Sequence, residues 1–130
     1  WLKAKRHVRD LAQRNEGAKQ LSPRLLVSLH VNWSANPQKK GALVLHQNSA
    51  DSIRLASAIQ ERLNRLYKVQ REPVHGKTFY LLNRAPCTAV IVEMGFISND
   101  GDRERLTDPK GQKEIAREIA LAIKTYLSRQ

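Results

Sequence analysis

Leu25-Leu26-Val27-Ser28-Leu29-His30-Val31-Asn32 is an apolar run that ends on polar side chains, and Val90-Ile91-Val92-Glu93-Met94-Gly95-Phe96 repeats the pattern later in the chain. Each reads as a buried strand that delivers one chemically capable group at its C-terminal end, an imidazole in the first and a carboxylate in the second. In open α/β sheets that end is where ligands sit, because the strands stop there and loops shape a crevice. His30 and Glu93 are therefore expected at one sheet edge with their side chains converging, an arrangement that suits metal-assisted hydrolysis.

Working outward, Asn32 to Lys40 carries turn residues and reads as a loop, and Gly41 to His46 returns as a strand close enough to Leu25–Leu29 to run antiparallel. Asp51 to Tyr67 is the clearest helix. Its Ala56, Ile59, Leu63 and Leu66 recur at spacings of 3, 4 and 3, with Ser49 or Asp51 as N-cap. Thr78 to Leu82 and Thr88 to Val92 read as two further strands, separated by Asn83-Arg84-Ala85-Pro86. Upstream, a helix is predicted over residues 2–15, with Leu2, His7, Val8, Leu11 and Ala12 near one face and Lys3, Lys5, Arg6, Arg9 and Arg14 on the other. Downstream, the loop Met94 to Asp100 leads into a short charged helical turn. Asp108 then caps a final helix with Pro109 at its first position, running to about Leu127 with Ile115, Ile119, Ile123 and Tyr126 inward. Strands alternating with amphipathic helices predict an α/β fold, a mixed and largely parallel sheet covered by helices.

A chain of 130 residues holds one domain with a real core. Its net charge of +11 calls for an anionic partner or surroundings: nucleic acid, an acidic membrane surface or the polymers of a bacterial wall. Aromatic residues make up only 5%, which leaves few platforms for base stacking and counts against nucleic acid. No apolar run approaches the roughly 18 residues that would span a bilayer. The single cysteine excludes an internal disulfide and a cysteine-built metal site. Cys87 reads as a small packing residue; a Cys87–His75 hydrolase would need a third, orienting group that the sequence does not offer.

His30 can be a metal ligand, a general base or a polar residue at a strand end. Asn32, two residues on, points the same way if the strand continues, and its amide could orient substrate or a neighbouring ligand. Glu93 follows Val90-Ile91-Val92 into a buried setting, where an unpaired carboxylate is costly unless it is neutralised, paired or linked to metal. It is the candidate general base. Gly95 permits a close approach of backbone or ligand. His75, before Gly76 in a loop, is placed at the rim of the same crevice as a second candidate for substrate contact. His7 and His46 receive no role.

These stretches together resemble the zinc-dependent N-acetylmuramoyl-L-alanine amidases, cell-wall enzymes that include spore-germination members. The family's Ser-Ile-His-Ala-Asn strand end is matched by Ser28-Leu29-His30-Val31-Asn32. Its Pro-Ala-Val-Leu-Val-Glu-x-Gly-Phe-x-Ser-Asn stretch is matched from Pro86 to Asn99, with one extra residue before Val90. A Gly-x-Tyr-x-Leu-type strand is matched, one residue longer, by Gly76 to Leu82, and the closing helix by Gln112 to Leu127. The resemblance covers residues 6–127.

The resemblance implies that His30 is a zinc ligand and Glu93 the carboxylate that activates water. The reaction would cleave the amide between the muramic lactyl group and the first alanine of the stem peptide. Peptidoglycan becomes the expected substrate, anionic wall polymers further partners, and the wall, periplasm or exterior the expected location. The family's domain also opens with a strand ending in Gly-His-Gly and a glutamate early in the first helix, both zinc ligands, and nothing in Trp1 to Ser22 matches either. With Trp1 rather than Met at its start, the chain is therefore expected to be one truncated catalytic domain over residues 1–130 that lacks the family's N-terminal strand and helix. Such a chain should be inactive alone. Without the resemblance, the alternative is a non-catalytic basic module that binds nucleic acid or an anionic wall polymer.

Overall fold

Thr88–Phe96 is apolar on both faces for most of its length, so it has to be covered on both sides, and it takes an interior position in the sheet. The computed structural model describes residues 23–129 together with Ala12, Gln13 and Glu16. In chain order its elements are β1 (Leu25–Asn32), β2 (Leu43–His46), α1 (Ala50–Tyr67), β3 (Val74–His75), α2 (Tyr80–Arg84), β4 (Thr88–Phe96), α3 (Asp100–Thr107) and α4 (Pro109–Ser128). The sheet order is β1-β4-β2-β3. β1 runs parallel to β4, β2 antiparallel to β4, and β3 parallel to β2. The mixed α/β fold is as the sequence predicts.

Three expectations change. Gly41–His46 does run opposite to β1, but its partner is β4, because the doubly apolar strand lies between them. Thr78–Leu82 is not a strand; Tyr80–Arg84 is one turn of helix. Leu81 and Leu82 explain the difference. A strand would point one of these neighbours away from the core, whereas the helical turn buries both, in one cluster with Leu45, Ala89 and Ile91. The edge position goes instead to the two-residue β3. Finally, both key strands run further than expected, β1 to Asn32 and β4 to Phe96, so Glu93 lies within a strand rather than after it. The helix predicted over residues 2–15 lies outside the described residues apart from Ala12 and Gln13, which are helical.

On one face of the sheet, Val44, Val90 and Val92 pack under α1 and α4 through Leu55, Ile59, Leu63, Ile115, Ile119 and Tyr126. The predicted caps are in place: Ser49 Oγ accepts from Ser52 N–H at 3.2 Å, and the Asp108 carboxylate accepts from Lys110 N–H at 3.0 Å with Pro109 at the start of α4. Gln60, fully buried on α1, accepts from Val44 N–H at 2.8 Å and donates to Ala42 C=O at 3.0 Å. It ties the helix to the backbone entering β2.

Candidate active site

Residue alternation places Ser28, His30 and Asn32 on one face of β1. On β4, Val90 and Val92 face the helices, so Ala89, Ile91 and Glu93 face the other way. The parallel register sets His30 directly beside Glu93, and an irregularity between His30 and Asn32 shifts Asn32 to a position opposite Phe96. The helical turn α2 covers the upstream part of this face, over Ala89 and Ile91. His30, Asn32 and Glu93, further along, are half-buried.

Asn32 Nδ2 donates to Glu93 Oε2 at 2.5 Å. The amide's orientation follows from its other partner: Oδ1 accepts from Trp33 N–H at 2.8 Å, which leaves the NH₂ side for the carboxylate. Ile97 N–H donates to Asn32 C=O at 2.9 Å, so the backbone after β4 holds the same residue. Ser28 Oγ lies 2.8 Å from His30 Nε2, leaving Nδ1 as the nitrogen free for a ligand. The cluster therefore presents one imidazole nitrogen and one carboxylate oriented by an amide.

The β4 end is shaped from behind. Gly95 has φ +129°, and a Cβ there would meet Asp102 Oδ2 at 2.9 Å, so the position requires glycine for both backbone and space. That oxygen accepts from Phe96 N–H and from Gly41 N–H, each at 2.9 Å. The Tyr67 hydroxyl donates to Met94 C=O. The loop after β1 is strapped to the same corner, by Ser34 N–H to Ser98 Oγ at 2.9 Å and Asn99 Nδ2 to Pro37 C=O at 2.9 Å. Sequence reasoning assigned nothing to Asp102, Tyr67 or Ser28. The available signal was Asn99 three residues before Asp102: the Asn99 side chain accepts from Asp102 N–H at 3.0 Å and caps α3, which turns the Asp102 carboxylate inward.

His75 does not join the cluster. It lies on β3, two strands from β4, paired with His46, which in turn pairs with Val90 on the helix-covered side. Cys87 is half-buried, and burial pushes its thiol pKa up, away from the thiolate that a nucleophile needs. A catalytic zinc takes about three protein ligands plus water. Among the described residues no three His, Cys, Asp or Glu side chains are grouped to hold a metal ion, so His30 and Glu93 fall short of that set.

Comparison with known proteins bears on this geometry. The family model described as N-acetylmuramoyl-L-alanine amidase matches residues 3–125. The germination-specific N-acetylmuramoyl-L-alanine amidase of Bacillus subtilis is 28% identical over 129 residues, covering 96% of this chain and 54% of that protein. The protein YqiI of the same organism is 30% identical over 123 residues, covering 92% of this chain and 59% of that one. The chain thus spans little more than half the length of these curated relatives. Among solved structures, the CwlD amidase from Clostridioides difficile in complex with the GerS lipoprotein superposes with a TM-score of 0.92 at 31% identity, over 98% of this chain and 66% of that one.

Proposed function

This chain belongs to the N-acetylmuramoyl-L-alanine amidase family, and from that premise we propose that it forms part of a peptidoglycan hydrolase. The bond cleaved is the amide between the lactyl group of N-acetylmuramic acid and the first alanine of the stem peptide. The observation that carries this reading is the carboxylate of Glu93, paired across strands with His30 and held by Asn32 at 2.5 Å. Glu93 is the general base: it takes the proton of the attacking water and returns it to the leaving amine. Asn32 fixes one carboxylate oxygen and leaves the other for that transfer. His30 would hold the metal through Nδ1, with Ser28 on Nε2 setting the ring's orientation, as outer partners of ligating histidines do.

The donor set within the described residues is incomplete for zinc, so the remaining ligands would come from the part of the relatives' length that this chain does not span. Zinc held there would supply Lewis-acid chemistry, making water easier to deprotonate and the scissile carbonyl more electrophilic. By this reading the chain is the later part of one catalytic domain, inactive alone, whose parent works outside the cytoplasm at the wall, in germination or a related remodelling step. Among the described residues no helix is long and apolar enough to cross a membrane.

The net charge of +11 supports a second reading, a basic module for anionic wall polymer. Its best surface is a groove of about 510 Å³ between α1 and α4 that includes Arg54, Arg62, Arg65 and Arg129. Three of these arginines are already paired, with Asp51, Glu118 and Glu61, so the groove offers little free positive charge. The test is digestion of purified peptidoglycan by the full-length parent, with and without a zinc chelator. Release of stem peptides bearing a new alanine amino terminus, lost on chelation and restored by zinc, is expected. Retention on wall material without any bond cleavage would favour the binding module.

A further inference from the structure

We propose that Leu43 reads the side chain of the first stem-peptide residue, an inference that rests on the amidase reading above and gives the departing peptide its direction. Parallel pairing on one side and antiparallel pairing on the other set His30, Glu93 and Leu43 in one row across β1, β4 and β2. Directly paired residues of neighbouring strands point to the same face. Leu43 therefore shares the face of His30 and Glu93, while Val44 beside it turns to the helices. The carboxylate stands between an imidazole and an isobutyl group, each one strand away.

Leu43 packs against the cluster of Leu45, Leu81 and Ile91 but is only partly buried, so some of its surface stays open beside Glu93. Leu45, two residues on, pairs with Val74, which lies on the same face and is 42% exposed. From Glu93 towards the β3 edge the surface is thus an apolar shelf, first Leu43 and then Val74. No charged side chain follows Glu93 along this row.

The chemistry gives a substrate one direction on the row. Glu93 has to reach the nitrogen that departs, because it returns the proton there. The lactyl carbonyl belongs on the His30 side, where the electrophilic group would be held. The nitrogen then lies over Glu93, and the carbon attached to it continues towards Leu43. Neighbouring strands are about 4.8 Å apart, and apolar carbons touch at about 4 Å. A methyl on that first carbon meets the leucine. A hydrogen leaves a gap there, and a branched side chain collides.

The test compares kcat/KM of the full-length parent on short glycan strands carrying synthetic stem peptides that begin with glycine, L-alanine or L-valine. Alanine should be preferred to glycine by about tenfold, the lower end of what one methyl group is worth in an apolar pocket, and valine should be cut poorly. In Leu43→Ala the preference for alanine over glycine should shrink to about threefold or less, and valine should be cut as well as alanine. Leu43→Met keeps the volume and should retain the parent's order. Each ratio is taken within one variant, so any loss of folded protein cancels. Ratios unchanged in Leu43→Ala would overturn the proposal and leave the amidase reading standing. Failure of the parent to release any stem peptide, the alanine one included, would overturn both.

Discussion

Thr88–Val92 and Glu93–Phe96 are consecutive halves of one strand, yet they are held by different means. The upstream half is regular, paired with β1 throughout and with β2 from Val90 on, and its Ala89 to Val92 are buried on both faces by apolar side chains. The downstream half contains Gly95 at φ +129°, and its backbone is secured by side chains from two helices, Tyr67 on Met94 and Asp102 on Phe96. Hydrophobic burial is non-directional and tolerates small adjustments. Hydrogen bonds to single atoms do not. The strand thus passes from a half built to be stable to a half built to aim a carboxylate, and the two should fail in different ways.

The sharpest separation comes from Glu93→Gln in the full-length parent. It keeps the shape and removes the basicity, so peptidoglycan hydrolysis should fall by about 10² to 10⁴. The half-buried side chain should keep its contact with Asn32 through the new amide, and the denaturation midpoint should hardly move. Undiminished turnover would assign the carboxylate to structure and end the general-base reading.

Asp102→Ala should produce the reverse pattern. It strands two buried donors, Phe96 N–H and Gly41 N–H, at a cost of about 2–4 kcal/mol of stability. Urea unfolding reads this directly. A loss under about 0.5 kcal/mol, the range of an ordinary surface change, would show that the corner does not depend on this carboxylate. Val92→Ala probes the apolar half. The side chain is fully buried, and removing two methyl groups should cost about 2 kcal/mol. Turnover of the parent at moderate temperature should stay near normal. If Val92→Ala lowered turnover as far as Glu93→Gln, the division between the halves would collapse.

The same division governs what could be read from the sequence. Val90-Ile91-Val92 and the spacing of Ala56, Ile59 and Leu63 announce burial by pattern, and α1, α4 and the sheet followed from them. The neighbouring positions of His30 and Glu93 also followed, because each ends an apolar run. What pattern could not supply were contacts between residues far apart in the chain, such as Asp102 reaching Gly41. Thr78–Leu82 misled for a related reason: the stretch reads as a strand, but both leucines had somewhere apolar to go only if the chain coiled, as Tyr80–Arg84 does. His75 was placed by its loop-like surroundings alone, and tertiary pairing put it on the far edge strand beside His46.

The smallest effect expected is at Tyr67, and its pH dependence makes it measurable. The ring is buried under Arg105, whose guanidinium carbon lies 4.8 Å from the ring centroid, and the hydroxyl donates to Met94 C=O. Burial above all, and then the Asp102 carboxylate, push the hydroxyl's pKa well above its ordinary 10.0, with Arg105 pulling weakly the other way. Below pH 10.0 the tyrosine is protonated in both folded and unfolded chains, and the hydrogen bond is fully available to stabilise the fold. Above it the unfolded chain releases the proton while the folded chain keeps it, so stability falls as pH rises, by about 1.4 kcal/mol per pH unit. Tyr67→Phe should therefore cost about 1 kcal/mol at neutral pH. The gap between the two proteins should close within about one unit above the ordinary tyrosine pKa. Urea unfolding of both proteins across that range isolates Tyr67, because every other titrating group is common to the pair. A gap that stayed constant through the range would mean that the hydroxyl ionises as easily folded as unfolded, and that the clamp on Met94 is weaker than its burial implies.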